Sequence, residues 1–306
     1  MKNCYLIYLL LLMASLLTPS LANAEQSEEQ TSWFFQPRLT TGMMHYEFEY
    51  AFTAPGATET NKLQFDDYIP YIGGGAMLAY DRCFADTYFK LSATGKDGGG
   101  TKKPDKESVF NKPSHEFDRK DYAITLGCKV TQNLSFFAGY KMGETDIQTV
   151  STKNRPYDRY DEKQTRNANF ESDGLFLGAA YSYPIGKGQF GVKLAATKLG
   201  AEYIQVNATI QNNRAVGDGP KTTDVDEWFL LGNTIGWTAG VNWTAPLSQH
   251  FSYRISLDYY DYDFDIDSAY VIEKEKADFF NILGGGVNYD LKETMYNLQL
   301  QFLYQF

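Results

Sequence analysis

The sequence is poor in the residue types from which most metal and acid–base sites are assembled: among 306 residues there are three histidines and three cysteines. It also lacks cationic excess. With 28 Lys and Arg against 38 Asp and Glu the formal net charge is -10, and the pI is about 4.9. Nucleic-acid binders need a cationic face to displace counterions from phosphates, so that class is excluded as a partner. Beyond residue 24 no apolar run approaches the ~18 residues needed for a membrane-crossing helix. Gly73-Gly74-Gly75 and Gly98-Gly99-Gly100 open no helix, which excludes a phosphate-cradling nucleotide loop. No cofactor is expected.

What is present is a leader, many aromatic residues and a rhythm. Met1-Lys2-Asn3 precedes an apolar stretch from Tyr5 to Leu17, and Leu21-Ala22-Asn23-Ala24 ends it; these are the three parts of a cleavable secretory signal. Residues 1–24 are therefore expected to be removed, leaving 25–32 as a short periplasmic segment and 33–306 as one β-barrel domain. The 23 Tyr, 21 Phe and 26 Gly are many for a chain whose mean hydropathy is -0.41. A transmembrane barrel reconciles these facts, because only alternate residues of each strand face lipid.

Period-two alternation recurs in about ten segments. In the last, Tyr296, Leu298, Leu300, Phe302, Tyr304 and Phe306 share one face, while Asn297, Gln299, Gln301 and Gln305 share the other. Short turns near Asp81-Arg82-Cys83, Thr131-Gln132-Asn133, Pro184 to Gly188 and Pro246 to Gln249 join the strands in pairs. Long polar stretches separate the pairs, at 51–66, 95–118, 144–170, 205–227 and 261–293, and read as extracellular loops. The fold expected is an all-β, closed, antiparallel up-and-down barrel of about ten strands, with short periplasmic turns and both termini in the periplasm. Closure is compulsory, since each unpaired backbone group in hydrocarbon costs several kcal/mol. Phe279 to Val287 is the segment hardest to place; it is assigned to the last loop as a small hairpin or plug. Aromatic girdles are expected from Trp243, Phe251, Tyr253, Tyr181, Tyr183 and Phe306 on the turn side and from Tyr50, Tyr68, Tyr259, Tyr262 and Tyr296 toward the loops.

The leader, the repeated hairpins and the ending Tyr304-Gln305-Phe306 resemble the small outer-membrane barrels of Gram-negative bacteria. That resemblance implies outer-membrane lipid or lipopolysaccharide as surroundings, and a terminal strand whose Phe306 is read by the outer-membrane assembly machinery. It implies no activity. Ten strands also resemble the omptin proteases, which use two acidic pairs, one of them an Asp with a His, at the extracellular rim. That set is not found in this sequence: His45 lies near Glu47 and Glu49, His115 falls in a loop, His250 in a periplasmic turn, and no Asp-x-His occurs. No enzyme is expected; the alternative is a barrel enzyme, an omptin-like protease or a lipid-modifying hydrolase, acting at the extracellular rim.

Alternation places Arg38, Lys90, Lys129, Lys141, Lys193 and Arg254, with Asp121 and Asp258, inside the barrel, because Arg or Lys facing lipid at mid-membrane costs ~2–4 kcal/mol. Such a lumen is either a narrow, anion-favouring channel or a plug of paired charges. Asp261, Asp263, Asp265 and Asp267 share one side of a strand. They read as a solvated extension above the membrane or as a rim site for a hard cation, although the spacing matches no known calcium loop. Cys83 and Cys128 lie near the periplasmic end of neighbouring strands; a disulfide and two free thiols both fit.

Overall fold

A computed structural model describes residues 33–53, 61–97, 109–110, 114–155, 160–213, 221–273, 278–281 and 288–306. The leader and the periplasmic segment inferred above lie outside them. Thirteen strands follow one another: Trp33–Thr53 (β1), Asn61–Tyr80 (β2), Cys83–Ser92 (β3), Gly95–Asp97 (β4), Val109–Phe110 (β5), Ser114–Lys129 (β6), Leu134–Arg155 (β7), Tyr160–Ile185 (β8), Gly188–Asn213 (β9), Lys221–Pro246 (β10), Phe251–Glu273 (β11), Asp278–Asn281 (β12) and Asn288–Tyr304 (β13). Ten of them close a ring. Each long strand pairs antiparallel with its neighbours, β1 with β13 joins the ends, and β6 with β7 completes the circuit. The short β4 continues β3 upward along β6, and β5 lies on the upper part of β7. Of the Phe279 to Val287 segment, 282–287 lie outside the described residues; β12 pairs with Tyr270 to Glu273 of β11 as a small hairpin, and among the described residues the spanning strands number ten.

The outward face divides the wall by height. On β11 it is apolar from Phe251 through Ile255 and Leu257 to Tyr259 and then becomes Asp261, Asp263 and Asp265. On β8 it is apolar from Ile185 to Leu175 and then becomes Asp173 and Glu171. Such runs match the ~9–11 residues with which a tilted strand crosses hydrocarbon. Yet β8, β9 and β10 are each 26 residues long, so the wall continues far above the belt.

This corrects the reading of the polar stretches as loops. Much of 144–170, 205–227 and 261–293 is strand. The physical reason is a change of solvent outside the wall: above the belt the outward residues meet water and are polar, while the inward ones fill the barrel and are apolar. The aromatic girdle needs the same correction. Tyr50 and Tyr262 share parity with Tyr46, Phe48 and Phe264 and are buried inside the barrel. Asp267 stays exposed on the outer wall with Asp263 and Asp265, accepting the Asn233 amide, and the bulge opposite Leu231 and Gly232 reverses the alternation after it, so that Ala269 and Val271 are buried.

Inside the membrane section, ring-over-glycine packing fills space beside the backbone. Phe137 opposes Gly178 and Phe176 opposes Gly139 on the β7–β8 pair, and each ring lies where a Cβ on its partner would stand. The two rings meet edge-on at 6.1 Å. Phe84 covers Gly127 in the same way across β3 and β6. Rings lying across strand glycines shield backbone that a bare glycine would leave unpacked. Cys83 and Cys128 are directly opposite on β3 and β6, with Cα atoms 4.0 Å apart, and form a disulfide on the outer face.

Candidate functional site

The lumen holds most of the residues singled out from the sequence, and it is layered. Nearest the periplasm, Arg38 of β1 binds Asp86 of β3 in a two-pronged bridge, Nη1 to Oδ1 at 2.5 Å and Nη2 to Oδ2 at 2.9 Å. Arg254 donates from Nε to Thr244 Oγ1 at 2.9 Å. Lys193 pairs with Asp258 at 2.8 Å, and the other oxygen of Asp258 accepts the Gln299 amide at 2.5 Å. Lys129 is different. Its parity is inward, but β6 ends there, and the side chain is exposed at the periplasmic end rather than lining the lumen.

One level higher, Lys90 lies over the rings of Tyr71 and Tyr88 at 5.3 and 5.2 Å, and Lys141 donates to the Tyr262 hydroxyl at 2.6 Å. Cation–π contact supplies part of what a carboxylate would otherwise give. Asp121 does not face these lysines alone; Arg119, two residues before it on β6, reaches it from Nη2 at 2.9 Å. Arg119 Nη1 also donates to Thr145 Oγ1 at 2.8 Å and to Glu293 Oε1, which accepts the Tyr46 hydroxyl at 2.9 Å. The side chains of Arg119 and Glu293 have no solvent exposure. Neither residue was picked out from the sequence. Arg119 sits in a run of charged residues that reads as loop, and Glu293 stands in a polar stretch with no local sign that the two meet.

Above this ionic layer the barrel is packed with rings. Phe65 meets Phe117 at 4.8 Å and Phe48 at 5.1 Å, Phe48 meets Phe170 at 5.3 Å, and Phe170 meets Phe264 edge-on at 5.5 Å. These contacts join β1, β2, β6, β8 and β11 across the cavity. Higher still, Tyr50 stacks on Tyr203 at 5.1 Å, and a polar ladder climbs β9: the Tyr203 hydroxyl donates to Gln205, Gln205 to Asn207, and Asn207 to Asp226 of β10. Arg166 of β8 donates to Asn207 at 3.1 Å.

The three imidazoles are spread over the molecule. His45 is on the outer wall, 2.5 Å from Asp66 and flanked by the rings of Tyr68 and Tyr296. His115 is buried in the lumen, with Nδ1 2.8 Å from Thr149 Oγ1. His250 is in the periplasmic turn, donating to the Gln305 carbonyl. On the outer wall Asp263 and Asp265 are exposed and Asp261 is half-buried. Burial and the neighbouring Asp290 carboxylate push the Asp263 carboxyl above the usual range. Among the described residues no group of three or more His, Cys, Asp or Glu is arranged to hold a metal ion. Phe306 follows β13 on the lipid side; its ring packs on Phe35 and Tyr304 and its amide donates to the Phe35 carbonyl.

A closed ten-stranded antiparallel ring, an outward apolar belt and a polar, filled interior together define the fold of an outer-membrane β-barrel. Among solved structures, the outer membrane protease OmpT from Escherichia coli superposes with a TM-score of 0.64 at 9% identity, covering 92% of this chain and all of that one. A Pseudomonas aeruginosa FadL homologue matches at 11% identity over 89% of this chain and 90% of its own, with a TM-score of 0.35. The translocator domain of the Neisseria meningitidis autotransporter NalP gives 0.38 at 9% identity, covering 91% and 90%. No sequence family and no curated protein matches the chain.

Proposed function

We propose that this protein is a non-conducting surface barrel: a membrane-anchored wall whose extracellular extension makes contacts outside the cell. The observation that carries this reading is the packing of the lumen at and above the outer edge of the belt. Tyr46, Phe48, Phe65, Phe117, Phe170 and Arg119 converge there from four different strands and are essentially without solvent exposure. Solutes cross a barrel only where water does, and close-packed rings around a satisfied guanidinium leave little room for either. The purified barrel should therefore be silent in a planar bilayer. Sustained unitary current steps from the unaltered protein would overturn the reading.

The wall is proposed to act by contact rather than by catalysis. His115, the imidazole on the lumen side, is engaged by the Thr149 hydroxyl. Cells displaying the protein are expected to leave a fluorogenic peptide library intact, and cleavage abolished by His115→Ala would replace this reading with a rim enzyme.

A further inference from the structure

The lipid-facing wall is not uniformly convex. Across β6 to β10 it carries an apolar groove of about 650 Å³. Its floor is recessed because small residues point outward: Ala138 on β7 and Ala196 on β9 both oppose Leu177 of β8. Leu126, Leu175 and Ile235 stand around it.

Lys198 marks the outer end of this groove. Its two cross-strand neighbours are Leu175 and Ile235, which are 67% and 70% exposed on the lipid side. Three other lysines on the outer wall meet carboxylates: Lys96 binds Glu116, Lys120 binds Glu144, and Lys292 binds Asp261. Lys198 forms no ion pair with a described residue, and the nearby carboxylate of Asp173 accepts the Tyr140 hydroxyl instead. An ammonium at the edge of hydrocarbon is tolerated when it extends toward the interface and meets a counter-charge there. The surroundings that supply both an apolar chain for the groove and an anion for the lysine are those of one lipid molecule.

We propose that the groove seats one acyl chain of a phosphate-bearing lipid of the outer leaflet, with Lys198 paired to its phosphate. Charge and shape act together: the alanines make room for the chain, and the lysine selects a head group carrying negative charge. This site is independent of whether the lumen conducts.

Native mass spectrometry of the full barrel in mild detergent, with lipid A added, tests the assignment. One lipid A is expected to remain per chain. Lys198→Glu should lower that occupancy roughly fivefold to tenfold, and lipid A stripped of phosphate should be held as weakly by the unaltered protein. Filling the floor with Ala138→Leu and Ala196→Leu should release the lipid with Lys198 still in place, whereas Lys292→Glu should not. Heat-modifiable migration on gels reports folding of each variant. If the filled variant does not fold, Lys198→Glu decides alone, since its side chain is exposed on the outer wall. Equal occupancy in Lys198→Glu and the unaltered chain would overturn the proposal, as would equal retention of dephosphorylated lipid A. A lipid-free dimer would assign the groove to a second copy of the chain instead.

Discussion

Arg119 is the residue on which the interior depends most. Its guanidinium joins Asp121 on its own strand to Glu293 on β13 and Thr145 on β7. Replacing it by Met would leave two carboxylates facing each other with no cation between them. Breaking a buried ion pair from one side costs ~3–5 kcal/mol, so Arg119→Met should unfold at markedly lower denaturant than Glu293→Gln, which retains a neutral acceptor for the same donors. Equilibrium unfolding followed by tryptophan fluorescence checks this order. A second test concerns Asp263, above the belt, whose carboxyl is pushed up by burial and then by Asp290. A raised folded-state value means the proton is held more tightly when folded, so the favourable contribution is present at acid pH and lost as pH rises through that value. Asp263→Asn should therefore stabilise the barrel by a few tenths of a kcal/mol at neutral pH and give no gain below the ordinary carboxylate range of about 3.9. Equal gains at both pH values would contradict the assignment.

At the level of elements, the hairpins are held by more than backbone pairing. Cys83 and Cys128 close a 45-residue span that contains the second extracellular excursion, β3 to β6. In the chain-entropy model a loop of this length is worth ~4 kcal/mol, with native-state effects able to reduce it. The double Cys→Ser variant should fold to the same ring but melt earlier, as read by the loss of heat-modifiable migration with temperature. The β7–β8 pair offers a separate test. Gly139→Val would place two methyl groups against the Phe176 ring and the neighbouring carbonyl of Ile124. Overpacking of this kind costs ~1–3 kcal/mol, and Phe176→Ala should recover part of it in the double variant.

For the molecule as a whole, the decisive property is the plug. If rings and not loops keep the barrel shut, removing them should open it. Phe48→Ala combined with Phe170→Ala deletes two neighbouring rings from the layer above Arg119. That variant should show small, brief current steps in a planar bilayer where the unaltered protein shows none. Deleting polar segments of the extracellular crown should leave the bilayer silent. Assembly belongs to this scale too: Phe306 lies on the lipid side against Phe35 of β1, at the seam where β13 closes on β1. Its removal is expected to lower the amount of barrel inserted in outer membranes, measured by surface labelling of whole cells.

Ten strands, their short turns and the lipid face of β13 were legible in the sequence, because within the membrane both faces of a strand have fixed surroundings. Outward means hydrocarbon, inward means polar contacts, and alternation reports the difference directly. Above the belt the same period-two pattern survives with its sign reversed. Tyr46, Phe48 and Tyr50 alternate with His45, Glu47 and Glu49, a pattern that names the inward face only once the outside is known to be water. Alternation assigned a face to Arg38, Lys90, Lys141, Lys193, Arg254, Asp121 and Asp258, but it could not name their partners. Arg119 and Glu293 are 174 residues apart, and only closure of the ring brings β6 and β13 to face across one lumen. The disulfide was left open for a related reason: alternation gives the face of a cysteine, while register between strands decides whether two of them stand opposite. The sequence by itself determined that this chain makes a barrel and which face meets lipid. Whether that barrel is filled, and by which side chains, was decided by tertiary structure, because packing across a lumen is set by strand order and shear rather than by any local pattern.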